Sequence, residues 1–367
     1  MWACYNGHKV IVRLLLDHAE PSIDLNARDI TECDALMMAC CNGHKDVVQL
    51  LIEHSDPKID LNARSCLGKT AFIWACEYGH KDVVQLLLEH SDPNIELNAR
   101  DNDGWTAFMW ACLNGYKDVV KLLMDHSNIE MNARDNDGRT ALMIACQDGQ
   151  KCIVQLLLSD PIIELNARDN YGHTAFMIAC QDGHTEIVRL LLSDPSIELN
   201  ARENEGWTAF IWTCLGGHKD VVKLLLDHSH IIELNARATN GKTAFIIACQ
   251  TGRKDVVQLL LSHSDPKIEL NVRDNDGWTA FMWACLKGHK DVVRLLLYHS
   301  NPNIELNARN NGDTPFIMAG FNGHKDVVQL LLECSDTIDL SGFDDLPQEM
   351  RDFTELHLEA SKELKRS

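Results

Sequence analysis

The sequence contains no apolar run approaching the roughly twenty residues that a membrane-spanning helix requires; its longest stretches are a few residues of valine and leucine. It opens on MWACYNGHKV, with no charged leader ahead of an apolar segment, so no secretory signal is expected there. Proline is scarce, nine in 367 residues, and no low-complexity tract interrupts the chain. The fourteen cysteines include no Cys-x-x-Cys, which removes the spacing of a zinc ribbon or a thioredoxin-type redox pair. Basic residues are in deficit, 34 against 54 acidic, for a net charge of −20. A phosphate backbone would be repelled by most such surface, so nucleic acid is not an expected partner. Membranes are not expected either. The acidic field favours a protein partner with a basic surface. A cytosolic or nuclear location is expected, without secretion.

What the chain has in abundance is repetition. DNDGWTAFMWACLNG at 101–115 returns as DNDGWTAFMWACLKG at 274–288 and as ENEGWTAFIWTCLGG at 203–217. An enzyme needs its catalytic residues once, so a copied phrase points first to architecture. The threonine of the phrase stands at Thr70, Thr106, Thr140, Thr174, Thr208, Thr243, Thr279 and Thr314, with Asp34 in the same slot earlier. Successive steps are 36, 36, 34, 34, 34, 35, 36 and 35 residues. A shortened copy, MWACYNGHKVIVRLLLDH, precedes them, its Met1 aligning with Met109 and Met282. Ten units therefore begin near residues 1, 29, 65, 101, 135, 169, 203, 238, 274 and 309. Within 106–114, Ala107, Phe108, Ala111 and Cys112 define one helical face, Thr106 can cap it and Gly115 can end it. A second helix begins at Lys117-Asp118-Val119-Val120. Neither helix is long enough to persist alone, so stacking must supply the core.

These units resemble ankyrin repeats. The family phrase of Gly-x-Thr-Pro-Leu-His, a small pair, Gly-His, Val-Val and Leu-Leu-Leu is matched by GKTAFIWACEYGHKDVVQLLLEH at 68–90. The resemblance covers about residues 1–340 and recurs in register ten times. The family's proline survives only at Pro315, and its histidine after Leu is replaced by Met or Ile, as at Met109 and Ile73. The implied fold is an all-α repeat solenoid of about ten helix-turn-helix units with loop fingers, the first truncated. Residues 341–367 would form a capping helix or a tail. The implied function is a non-catalytic protein-binding scaffold, acting as a monomer through the concave side.

Repeated polar residues are frame before they are chemistry. Nine cysteines (Cys4, Cys40, Cys76, Cys112, Cys146, Cys180, Cys214, Cys249, Cys285) share one slot and read as small buried thiols. Seven histidines follow the turn glycine (His8, His44, His80, His184, His218, His289, His324) and seven close the second helix (His18, His54, His90, His126, His228, His263, His299). Positional repetition argues against a metal site, and no cofactor is expected. The IELNAR loop repeats an arginine, as at Arg100, expected to pair with acids of its own or the neighbouring loop, such as Glu96 and Asp101. DNDG lacks calcium ligands at the required spacing, and LGKT lacks the first glycine of a phosphate loop.

Recognition is expected where the frame is held and residues vary. After the finger glycine stand Lys69, Trp105, Arg139, His173, Trp207, Lys242 and Trp278. Before the turn glycine stand Tyr78, Leu113, Asn114, Asp148, Asp182, Leu215, Leu286 and Lys287. Each finger tryptophan coincides with an inner-helix tryptophan five residues on, Trp110, Trp212 or Trp283. The two can stack as a packing pair, or the finger member can serve as an exposed anchor. In the tail, Leu346, Met350, Phe353, Leu356 and Leu364 fall at helical intervals and fit a cap or a docking helix. Two further functions remain open. One is an adaptor recruiting clients to a larger complex, such as a ubiquitin ligase, through that tail. The other follows from the family resemblance: the array as a substrate of asparaginyl hydroxylases, which favour Leu eight residues before the Asn. Leu158 with Asn166 and Leu192 with Asn200 fit, and Met124 with Asn132 nearly does. At the N-terminus an exposed apolar edge is expected, as in a longer natural product or a start placed within a repeat.

Overall fold

The computed structural model describes the chain except residues 19–22, 54–57, 90–94, 264–266, 299–303, 335–336, 365–367 and the side chains of 359–364. His54, His90 and His299 lie outside the described residues. The fold is an all-α repeat solenoid, with no strand among the described residues and one isolated bridge, Asn310 to Asp313. The chain divides into two compact bodies, Met1–Ala175 and Phe176–Ser367.

In the first body, inner helices α1 (Trp2–Tyr5), α3 (Ala35–Cys41), α5 (Ala71–Glu77), α7 (Ala107–Leu113) and α9 (Ala141–Gln147) alternate with outer helices. The outer helices are α2 (Lys9–His18), α4 (Lys45–Glu53), α6 (Lys81–Glu89), α8 (Lys117–Met124) and α10 (Lys151–Leu157). In the second body the inner row is α11 (Ala175–Gln181, whose first residue belongs to the first body), α13 (Ala209–Gly216), α15 (Ala244–Gln250), α17 (Ala280–Leu286) and α19 (Pro315–Phe321). Its outer row is α12 (Thr185–Leu192), α14 (Lys219–Leu226), α16 (Lys254–Ser262), α18 (Lys290–Tyr298) and α20 (Lys325–Glu333). A final helix, α21 (Gln348–Leu364), follows.

The marker threonine is the N-cap of its inner helix. Thr106 Oγ1 accepts from Met109 N–H at 3.3 Å, and Asp34 Oδ1 accepts from Met37 N–H at 2.8 Å. Such a cap is worth about 1 kcal/mol. Gly115 follows helix α7 at φ 73°, a left-handed geometry that glycine adopts without a Cβ clash. Short inner helices then pack on one another, α3 on α5 and α5 on α7 in the first body, α13 on α15 and α15 on α17 in the second. Phe72, Phe108, Phe210 and Phe281 are fully buried between them.

Eight of the nine slot cysteines have no measurable exposure and the ninth, Cys4, is 4% exposed. Burial pushes the thiols of Cys76, Cys112, Cys214, Cys249 and Cys285 far above the ordinary value. Cys180 is pushed up to about 12, burial being partly offset by a hydrogen bond with Thr213. A thiol held protonated is neither a nucleophile nor a good metal ligand.

Polar side chains stitch each repeat to its neighbour. The turn histidines place Nε2 against a carbonyl at the end of the preceding inner helix: His44 on Tyr5 O, His80 on Cys41 O and His218 on Gln181 O, each at 2.8 Å. Gln150 and Arg253 occupy the same slot and donate to Leu113 O at 2.8 Å and Leu215 O at 2.9 Å. Loop arginines donate to the carbonyl of the next loop's arginine, Arg64 to Arg100 and Arg202 to Arg237, both at 2.6 Å. Their acidic partners also come from the next loop, Glu96 for Arg64 at 3.4 Å and Glu233 for Arg202 at 3.1 Å. A side chain four residues from its own acid is drawn across because the next loop's carbonyl accepts there too.

The C-terminal helix covers the end of the second body. Helix α21 packs on α20, and Leu346, Met350 and Thr354 are buried. Gly320 stands in the cysteine slot, and a Cβ there would collide with Leu346 Cδ2. The last repeat lacks the thiol, and Leu346 sits on the helix in its place. At the other end, Trp2 is 78% exposed and Val10 71%.

Candidate partner-binding face

Six fingers are organised by an acid at the base, Asp29, Asp101, Asp135, Asp169, Glu203 or Asp274. Asp101 Oδ1 accepts from Asp103 N–H at 3.1 Å and Trp105 N–H at 2.8 Å, closing the tight turn. Its second oxygen, Oδ2, accepts from the indole Nε1–H of Trp110 on the inner helix at 2.9 Å. Asp274 repeats this, holding Trp278 N–H at 2.9 Å and Trp283 Nε1–H at 2.8 Å. Asp135 turns its second oxygen to Arg139 Nε at 2.9 Å, and Asp169 faces His173 Nδ1 at 3.2 Å. One buried carboxylate thus fixes both the finger and the side chain that follows it. The sequence carries this signal as an acid four residues before one tryptophan and nine before another.

The tryptophans pack ring against ring, with planes tilted by 42°, 39° and 34° in the three pairs. Ring centroids of Trp105 and Trp110 are 4.8 Å apart, of Trp207 and Trp212 4.8 Å, and of Trp278 and Trp283 5.1 Å. All six rings are half-buried. The rings pack on one another, while part of each side chain meets solvent.

In the first body the pair belongs to a longer stack. Lys69 Nζ lies 3.7 Å from the Trp110 ring centroid and 4.8 Å from that of Trp74. Tyr78 stacks on Trp74 at 5.9 Å with planes 17° apart, and Arg139 lies 5.6 Å from Trp105. The sequence offered Lys69 as a contact for a partner. The structure instead buries it to 6% exposure and pairs Nζ with Glu77 Oε2 at 2.6 Å, so its ammonium is spent between two indoles. Lys242 follows suit in the second body, with Nζ 2.9 Å from Gln250 Oε1 and 4.2 Å from the Trp283 ring. Burial lowers the Lys242 pKa, opposed by Asp274 and Asp276.

Other candidates lie nearer solvent. Tyr78 is 46% exposed, Asn114, Asp148, Asp182 and Lys287 are exposed, and Leu113, Leu215, Leu286, Arg139 and His173 are half-buried. Trp278 and Leu286 pack on a core cluster of Met282, Ala308 and Met318. Arg139 also reaches Asp137 at 3.3 Å.

Asn132, Asn166 and Asn200 are half-buried in the loops. Asn132 donates Nδ2 to Ile162 O at 2.8 Å and accepts from Glu164 N–H at 3.0 Å. Asn200 does the same with Ile231 O at 2.8 Å and Glu233 N–H at 2.9 Å. These amides carry a further ladder between repeats. This ladder is not legible in sequence, because the accepting carbonyls lie 30 and 31 residues away.

No group of histidine, cysteine and acidic residues arranged to hold a metal is found among the described residues. No described helix is long and apolar enough to cross a membrane. Comparison with known families matches ankyrin repeats (3 copies) at residues 1–65, 56–135, 127–203, 196–274 and 266–343. No curated protein matches the chain.

Proposed function

Since the chain belongs to the ankyrin-repeat family, whose repeats are generally protein–protein interaction modules, we propose that it is a non-catalytic scaffold holding another protein on its fingers and inner helices. This is the side that the family's architecture makes concave. The observation that carries the reading is the set of tilted, half-buried tryptophan pairs, Trp105 with Trp110, Trp207 with Trp212 and Trp278 with Trp283. Large aromatic side chains already fixed by their neighbours give contact area at little entropic cost, as binding hot spots require. The remainder of each repeat is spent on frame: thiols in the core, histidines, asparagines and arginines between repeats.

The net charge of −20 favours a partner with a basic surface and disfavours nucleic acid. The module acts as a monomer in a reducing, cytosol-like compartment, the setting in which its buried thiols stay unoxidised. Burial of Leu346 and Met350 under the last repeat supports a cap rather than a free docking helix for the C-terminal segment. The test is quantitative capture of partners by the full chain and by variants with Trp105, Trp207 and Trp278 each changed to Ala, with circular dichroism confirming that each variant stays folded. Specific partners should be lost from at least one folded variant. Unaltered partners with all three would remove the reading.

A further inference from the structure

Each body holds a lysine against a tryptophan of the following repeat, and the two sites share one plan but differ in charge. In the first body, Lys69 Nζ lies 3.7 Å from the Trp110 ring centroid and is paired with Glu77 Oε2 at 2.6 Å. In the second, Lys242 Nζ lies 4.2 Å from the Trp283 ring centroid. Trp283 donates its indole Nε1–H to Asp274 at 2.8 Å, as Trp110 does to Asp101 at 2.9 Å, and both fingers read DNDGW, at 101–105 and 274–278. On the inner helices and their ends, the charge differs. Gln250 stands where Glu77 stands, so Lys242 Nζ meets a neutral amide oxygen, at 2.9 Å, in place of a carboxylate. Lys287 stands where Asn114 stands, and its Nζ lies 5.9 Å from the same Trp283 ring. One indole thus has two ammonium groups beside it, and among the described residues neither makes an ion pair. The charges around them are accounted for. Asp274 is committed to the indole and to Trp278 N–H at 2.9 Å. Asp276, and Asp313 on the next finger, are exposed and make no ion pair among the described residues. The loop arginines are occupied, Arg237 with Arg273 O at 2.7 Å, Arg273 with Glu305 at 3.7 Å and Arg309 with Asp339 at 2.5 Å. Burial lowers the Lys242 pKa even though Asp274 and Asp276 pull it upward, so the desolvation of this ammonium outweighs what its own chain supplies.

We propose that this site takes a carboxylate from a partner protein: a glutamate or aspartate side chain seated between Lys242 and Lys287 at the edge of Trp283, in the role that Glu77 plays for Lys69. An apolar residue beside that acid rests on Leu286, which is half-buried, and on Phe321 of the next inner helix, which is 53% exposed. This deepens the scaffold reading and rests on it. Lys242 is already held by Gln250 and the indole, so binding costs little of its side-chain freedom. A hydrogen bond from an ammonium to a carboxylate is stronger than one to a neutral amide. The net charge of −20 sets the field at longer range, where it favours a partner that is basic elsewhere on its surface. The local contact selects which of that partner's segments is held.

The test uses the full chain and short synthetic peptides of serine and leucine that differ only at the central residue, Glu, Gln or Lys. Binding is read by anisotropy, and position by the indole resonance of Trp283. The Glu peptide should shift Trp283 and bind at least about five-fold tighter than the Gln peptide, with the Lys peptide weakest. Gln250→Glu supplies the missing carboxylate from within the chain. It should raise the titration of Lys242, followed by NMR of the lysine side chain, and weaken the Glu peptide about three- to ten-fold while moving the Gln peptide less than about two-fold. Lys287→Gln should weaken the Glu peptide by a similar factor. Lys219→Gln, at an exposed position on an outer helix, should change it less than about two-fold. Unchanged Glu-peptide affinity in Gln250→Glu, or equal losses from Lys287→Gln and Lys219→Gln, would overturn the proposal. A Gln peptide that binds as tightly and shifts Trp283 would overturn the carboxylate but leave a binding face there. If no peptide moves Trp283 the proposal falls, and partner capture by the tryptophan variants then decides separately whether the scaffold reading stands.

Discussion

Replacing Ser65 by aspartate tests the finger chemistry within a single chain. Ser65 occupies the base position held by Asp101 and Asp274, but its hydroxyl accepts only from Lys69 N–H, at 3.3 Å. Trp74, in the position of Trp110, consequently has a buried indole Nε1–H without a partner. A buried, unpaired donor costs about 1–3 kcal/mol, and a hydrogen bond to a charged acceptor returns about 1.5–3 kcal/mol. Against this stands the cost of burying a new carboxylate, since Asp101 is only 7% exposed. Ser65→Asp should therefore stabilise the first body by about 1–2 kcal/mol. The reciprocal Asp101→Ser, which removes the acceptor for Trp110 at 2.9 Å and for Trp105 N–H at 2.8 Å, should destabilise it by about 3 kcal/mol. Urea unfolding followed by tryptophan fluorescence gives the energies. Exchange of the indole Nε1 protons gives the local effect, slower for Trp74 in Ser65→Asp and faster for Trp110 in Asp101→Ser. A neutral or destabilising Ser65→Asp, together with an Asp101→Ser cost under about 1 kcal/mol, would refute the assignment of the acid as organiser of the finger.

Three other outcomes follow from the same structure. Burial is the main cause of a raised Asp34 pKa, only partly offset by the N–H groups of Met37 and Leu36. A carboxyl raised in the folded state contributes stability that is present below the unfolded value, near 3.8, and is lost as pH rises through the folded value. Asp34→Thr, which restores the cap used elsewhere, should gain on the wild type as pH rises from about 3.5 to 6, read from paired urea titrations. Leu346→Ala should cost about 2–4 kcal/mol through the cavity left over Gly320. Gly320→Cys should also destabilise the cap, and the double variant should cost less than the sum, as groups in contact do not add. With a thiol reagent, the exposed Cys66 and Cys152 should react first, Cys41 and Cys334 more slowly, and the ten buried cysteines only on unfolding; early reaction at Cys112 or Cys249 would contradict their place in the core.

The helices and their order were legible because the apolar period recurs ten times and the threonine marker eight, and a repeated core needs the same residue in the same place. The cysteine slot was legible for the same reason. Less visible were interactions whose second partner lies one repeat away. Arg64 sits four residues after Asp60, yet pairs with Glu96, because the neighbouring loop also offers the Arg100 carbonyl. Lys69 looked like a surface charge because its slot varies, and only the packing of Trp74 and Trp110 around it shows why an ammonium can be buried there. The tryptophan pairs were foreseen as either packing or anchor. Residue spacing fixes their proximity but not how much of each ring stays in water.

The most direct measurement of the binding face is photo-crosslinking in the cell that expresses the protein. A photoreactive residue is placed singly at Leu67, Tyr78 or Asp103, and for comparison at Gln85 or Lys121, which are exposed on the outer helices. The account predicts discrete crosslinked partners from the first three positions and none from the last two. Crosslinks only from Gln85 and Lys121, or equally from all five, would contradict it.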